Sequence, residues 1–306
     1  MNTYYFDNGA TTKTKPEVVE AMMPYFSEEY GNPSSVYGLA RDAKKAVQDA
    51  REKVAKLIGA NRDEIYFVGC GSEADNTALK GIAYANRKRG NHIITTKIEH
   101  HAILESCKFL ESQGFEITYL NVDQNGFVNL EELKNAIRED TILITIMFAN
   151  NEVGTIEPVE KIAEIAKNNN IIFHTDAVQA IGNVRIDVKK MGIDALSMSA
   201  HKFYGPKGIG ALYVRDDVNF QRIQDGGHQE RDKRAGTENV AEIVGMGKAI
   251  EMAYKNFDEH CNYLRDLRDY YIAKVEREIP NAKLNGDREK RLPGNANFSF
   301  EGLNGE

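Results

Sequence analysis

The chain has 306 residues, 42% of them hydrophobic, enough to bury one large core and a smaller one beside it. Its formal net charge of −7 offers nucleic acid no general attraction, and no apolar run is long enough to span a membrane. Three widely spaced cysteines, Cys70, Cys107 and Cys261, with no CxxC pair, argue against a disulfide framework or a zinc centre and for a reducing, cytoplasmic setting.

The opening residues, MNTYYFDNGATT, lack the basic-then-apolar pattern of a secretion signal. They predict an extended piece at Tyr4-Tyr5-Phe6 and a polar turn over 7–12, together an N-terminal arm of residues 1–15 on the side of a smaller domain. Pro16 opens a first helix, and a second, long one runs to about Gly59 with Ala40, Ala43, Val47, Val54, Leu57 and Ile58 at near-helical spacing. Strands are then predicted at 65–68, 92–95, 116–120, 141–148 and 171–174, alternating with helices at 72–87, 101–113, 130–138 and 159–168. Near-continuous apolar strands such as ILITIMF between amphipathic helices predict an α/β fold, a mainly parallel sheet sandwiched by helices, over residues 16–250. Further strands follow at 195–198 and 211–214. A single long helical stretch over 240–278 then leads to a smaller α+β unit in 251–306, with a strand near its end.

Chemistry concentrates where strands run out. Lys202 follows the strand at 195–198, and Asp176 ends the strand IIFHTD. A lysine there is either a surface residue at a loop mouth or a Schiff-base lysine, its amine discharged by desolvation and joined to an aldehyde cofactor. An aspartate at a neighbouring strand end favours the second reading, because pyridoxal phosphate needs a carboxylate to keep its ring nitrogen protonated. The turn GCGSEAD at 69–75 opens a helix, as a phosphate-binding turn, as a simple cap with Ser72 at the N-cap and Asp75 three residues on, or as both. Adjacent His100 and His101 lack the i,i+4 spacing of a metal pair, and no metal is expected. GPKGIG at 205–210 precedes a strand and lacks a GK[ST] ending, which rules out a nucleotide loop.

The set HTDAVQ at 174–179, SAHKFYGPKGIGALYV at 199–214 and RAGTEN at 234–239 resembles the cysteine desulfurases of nitrogen fixation and iron–sulfur assembly. These are class V aminotransferase relatives among the fold-type I pyridoxal-phosphate enzymes, and the resemblance runs over essentially the whole chain. It implies that Lys202 holds the cofactor covalently, Asp176 meets its ring nitrogen, and His100 stacks on the ring and shuttles protons. It assigns Gly71, Ser72, Ser199 and His201 to the phosphate, Gln179 to the 3-hydroxyl, and Asn151, in the NNEVG turn, to the 3-hydroxyl or the substrate. Thr237 would reach the other subunit's phosphate, which makes the protein a homodimer. The implied reaction takes sulfur from L-cysteine to leave alanine, and passes a persulfide to an acceptor or iron–sulfur scaffold protein. In the family, the sulfur-accepting cysteine and the carboxylate-holding arginine lie past the segment that NFSFEGLNGE resembles. None of the three cysteines matches that nucleophile, so slow turnover is expected. A selenocysteine lyase, an aminotransferase, a β-lyase and a non-catalytic cofactor-binding subunit are the alternatives.

Overall fold

The computed structural model describes residues 4–303. In chain order the helices are α1 (Pro16–Met22), α2 (Pro24–Ser27), α3 (Gly38–Leu57), α4 (Gly71–Asn86), α5 (His101–Ser112), α6 (Leu130–Ala136), α7 (Val159–Asn168), α8 (Val188–Met191), α9 (Gln229–Asp232), α10 (Val240–Lys255) and α11 (Phe257–Glu278). The strands are β1 (Ile65–Val68), β2 (His92–Thr96), β3 (Glu116–Leu120), β4 (Thr141–Thr145), β5 (Ile172–Asp176), β6 (Ala195–Ser199), β7 (Gly210–Val214), β8 (Ala282–Asn285) and β9 (Asn297–Phe300).

Seven strands form one sheet in the order β1-β7-β6-β5-β4-β2-β3. β3, β2, β4, β5 and β6 run parallel, and β7 turns back antiparallel between β6 and β1. The central strands are buried along their whole length because both faces are covered: α4 and α5 lie over one, and α1, α3, α7 and α10 over the other. The arrangement is the α/β sandwich expected from the sequence. On α3, Ala40, Ala43, Val47, Ala50 and Val54 form the buried stripe, with lysines and acids opposite. α10 crosses this stripe so closely that a Cβ on Gly247 would lie 2.8 Å from the Cβ of Ala50, a contact that glycine alone accommodates. β8 and β9 make a separate antiparallel pair beside α11.

Several expectations need correcting. Tyr4-Tyr5-Phe6 is irregular and exposed, and belongs to no strand. The strand expected over 141–148 leaves the regular ladder after Thr145, although Ile146, Met147 and Phe148 stay buried. The single helix expected over 240–278 is two, broken at Asn256 (φ −126°, ψ 43°). β8, the partner of the terminal strand, was not anticipated.

Candidate active site

β6 ends at Ser199 and the backbone tightens into a 3-10 turn, Ala200–Lys202. The half-buried Lys202 amine donates to the carbonyl oxygens of Gly9 and, at 3.0 Å, Ala10. Burial lowers its pKa, opposed by the negative charges of Asp176, Asp7 and Glu152. The N-terminal arm is sewn to this turn. Thr12 N and Oγ1 donate to the His201 carbonyl (2.9 and 2.8 Å), Thr12 Oγ1 accepts from Tyr204 N (2.7 Å), and Thr11 Oγ1 meets His201 Nδ1 (3.1 Å). Gln179 Nε2 also reaches the Gly9 carbonyl, at 3.0 Å. The arm therefore forms a wall of the site, a role its small polar residues did not announce.

Asp176 closes β5, is 7% exposed, and accepts from Val178 N at 2.9 Å. Burial raises its pKa, while His100 and Lys202 pull it down. His100 caps α5, its Nδ1 accepting from Ala102 N at 3.1 Å, and leaves its ring exposed. One side-chain atom each from Asp75, His100 and Asp176 lie within 4.8 Å of one another. Behind them, His174 is fully buried and held down to about 3 by desolvation; it bridges Thr145 Oγ1 (2.8 Å) and Ser197 Oγ (3.0 Å) as the neutral ring. Glu99 accepts from Thr96 Oγ1 (2.7 Å) and Met147 N (3.0 Å), and burial lifts it to about 8.

The N-terminus of α4 packs against the end of β6 and the turn after Asp176. A Cβ on Gly71 would stand 2.9 Å from Val178 Cγ2 and 3.3 Å from the Ser199 Cβ, so only glycine lets this turn approach β6. The cap expected from Ser72 and Asp75 is not formed: Cys70 occupies the N-cap without a side-chain hydrogen bond, Ser72 is exposed in the first turn, and Asp75 is buried. The N–H groups of that turn are therefore not consumed by a side-chain cap. Glu73 instead holds the turn, accepting from Gly69 N (2.6 Å) and from Arg234 Nε (2.7 Å). Arg234 ties in the loop whose Thr237 stands exposed, outside the hydrogen bonds that join the other residues. Asn151 Nδ2 bonds Glu152 Oε1 (2.7 Å) in a turn closed by Asn150, whose Oδ1 accepts from Glu152 N and Val153 N, both at 2.9 Å.

The loop of Arg234 and Thr237 is preceded by a backbone conformation that ordinary residues avoid. Glu230, Arg231 and Asp232 have φ of 46°, 55° and 64°, so α9 is a left-handed turn in its middle rather than a helix. A buried pair pins it: Arg51 Nη1 and Nη2 grip Glu230 at 2.6 and 2.7 Å, and Phe67 N donates to the same carboxylate at 3.0 Å.

These donors fit a phosphorylated aldehyde with a basic ring nitrogen. The lysine is of lowered basicity, a carboxylate is buried beside an imidazole, and a helix N-terminus with free N–H groups lies next to them. A family model described as aminotransferase class-V matches residues 4–306. The chain belongs to this pyridoxal-phosphate-dependent family and, within it, to the cysteine desulfurases. It is 60% identical over 304 residues, 99% of this chain and 77% of the other, to a protein named cysteine desulfurase IscS from Clostridium botulinum (strain Hall / ATCC 3502 / NCTC 13319 / Type A). Among solved structures, a NifS-like protein superposes with a TM-score of 0.96 at 42% identity, covering 99% of this chain and 83% of that one. SspA in complex with cysteine superposes at 0.88 with 39% identity, covering 98% and 84%.

Proposed function

We propose that this chain is a pyridoxal-phosphate-dependent cysteine desulfurase in which Lys202 is the covalent anchor and the proton carrier. The observation that carries the assignment is a half-buried lysine of lowered basicity sharing its pocket with Asp176 and His100. When bound, pyridoxal phosphate supplies an electron-withdrawing ring that stabilises negative charge at the substrate α-carbon. Asp176 would hold the ring nitrogen protonated. Gln179 and Asn151 would meet the ring hydroxyl or the substrate, and Gly71, Ser72, Ser199 and His201 would hold the phosphate with the α4 N–H groups. The Lys202 amine, its basicity lowered by burial, takes the α-proton at Nζ, and His100 moves a proton at the exposed face. Cleaving the carbon–sulfur bond of L-cysteine in favour of an acceptor thiol gives alanine and a persulfide, with atoms balanced and no added oxidant. Cys107 and Cys261 are buried on α5 and α11, whereas Cys70 is exposed at the α4 N-cap.

Several finer assignments belong to the same reading: a homodimer, a sulfur-acceptor or iron–sulfur scaffold protein as partner, and a cytoplasmic location. Exposed Tyr4, Phe6, Tyr30, Val36 and Tyr37 support a protein–protein contact, and the three free cysteines suit a reducing compartment. The separate β8–β9 pair supports dividing the chain into a large unit, 16–250, and a smaller one from 251 onward. The test is borohydride reduction of the cofactor-loaded protein, peptide mapping, and alanine release from cysteine. A label on Lys202 that Lys202→Ala abolishes is the expected result; a label on Lys207, or none, overturns the assignment.

A further inference from the structure

Asp75 is the residue that the reading above leaves without work. It sits on the first turns of α4, 1% exposed, and its Oδ1 has no hydrogen-bond partner. A carboxylate in that condition is costly, and such a group either pairs or keeps its proton. Of the bases, His100 presents a ring nitrogen within 4.8 Å of the Asp75 carboxyl, as it does to Asp176. From β5 it faces Asp176 and the neutral His174, whose Nε2 is 3.9 Å from Oδ1. Glu99 stands ahead of α5, the Ser197 hydroxyl on β6, and Cys70 on its own turn. Lys202 and His100, the two bases of the pocket, act on Asp176. Two buried carboxyls with atoms within 4.8 Å do not both ionise, and Asp176 alone of the two accepts a backbone N–H, from Val178 at 2.9 Å, while Asp75 Oδ1 accepts none. The charge settles on Asp176 and the proton on Asp75.

We propose that Asp75 is a positioning residue for the ring-facing carboxylate: it is the neutral acid of a carboxyl pair, and its O–H holds Asp176 in place. The proposal rests on the role given to Asp176 above. Its chemical content is that an amide can replace Asp75 but cannot replace Asp176, because an amide keeps a donor and removes only a charge that Asp75 does not carry.

The test has a readout that needs no cofactor. A buried acid that keeps its proton when folded and releases it when unfolded makes stability fall as pH rises, over a window that opens at about pH 4 and closes at its raised folded pKa. Thermal unfolding of the cofactor-free native chain across that window should show this fall, with Glu99 contributing part of it. Asp75→Asn should make it shallower and raise the melting temperature most at the alkaline end. Titration with pyridoxal phosphate should find Asp75→Asn within about threefold of the native affinity, and Asp75→Ala weaker by about tenfold or more. An unchanged pH slope, or an Asp75→Asn chain less stable than the native one above neutrality, overturns the proposal. Should Asp75→Asn not fold, infrared spectra of the native and Asp176→Asn chains with isotope-labelled aspartate decide. A protonated aspartate band in both near neutral pH is expected, and its absence from both overturns the proposal. If Asp176→Asn binds pyridoxal phosphate as well as the native chain, the role assigned to Asp176 fails, and Asp75 as its positioning residue with it. The cofactor-free pH slope still reports separately whether Asp75 holds the proton.

Discussion

Replacing Glu230 with leucine should be among the most damaging single changes available. The carboxylate and the Arg51 guanidinium are each only 3% exposed by side chain, and they meet through two bonds of 2.6 and 2.7 Å. Removing one partner strands the other charge out of water, a loss of about 3–5 kcal/mol. Arg51 keeps only its bond to the Ile65 carbonyl (2.7 Å) and its place over the Phe67 ring, while Phe67 N loses its acceptor. The left-handed turn at Glu230, Arg231 and Asp232 costs of order 1–3 kcal/mol per residue and then has nothing to hold it. It should relax and carry Arg234 away from Glu73. Urea unfolding followed by circular dichroism should show the midpoint drop accordingly. Replacing both partners, Arg51→Leu with Glu230→Leu, should recover most of the loss, since a buried pair exchanged for apolar groups is near neutral. A single substitution costing under about 1 kcal/mol, or a double no better than the worse single, would refute the reasoning.

Gly71→Ala should cost about 1–3 kcal/mol through contact with Val178 and Ser199, and should weaken pyridoxal-phosphate binding more than it lowers the melting temperature; calorimetry and absorbance titration separate the two. Glu99, lifted by burial from 4.5 to about 8, keeps a proton in the folded chain that the unfolded chain releases. Stability should therefore fall as pH rises from 4.5 toward 8 and level off above, and Glu99→Gln should flatten that part of the melting profile. The protein should sediment as a dimer, with Thr237→Ala losing cofactor affinity by about tenfold while the dimer persists; a monomer that retains cofactor tightly counts against the cross-subunit role.

Much of the large unit was legible because its strands are short apolar runs with helices of clear period between them. Ile65–Val68, Glu116–Leu120 and Val159–Asn168 fall at the boundaries that their apolar patterns and flanking turns mark. What composition does not carry is pairing. β7 returns antiparallel yet is as apolar as its parallel neighbours, and Ile146 to Phe148 read as strand because burial continues after the ladder stops. The break at Asn256 lacks a glycine or proline to mark it. Within the site, Lys202 and Asp176 stood out because a charged residue at the end of an apolar run is conspicuous. Asp75 did not, since an acid one turn into a helix reads as part of a cap, and only the packing of α4 on β5 and β6 reveals it as buried.

The bonds between the arm and the lysine turn also set a timetable. Thr12 and Gly9 find their partners 189 to 193 residues later in the chain. At ribosomal speeds of about 5–20 residues per second, the arm is made roughly 10–40 s before His201 and Lys202. During that interval Thr12 and the Gly9 carbonyl have no partner on this turn. The pocket is thus closed by an earlier-made segment and a later-made turn together, and a nascent chain halted before the turn has no lysine with which to capture its cofactor.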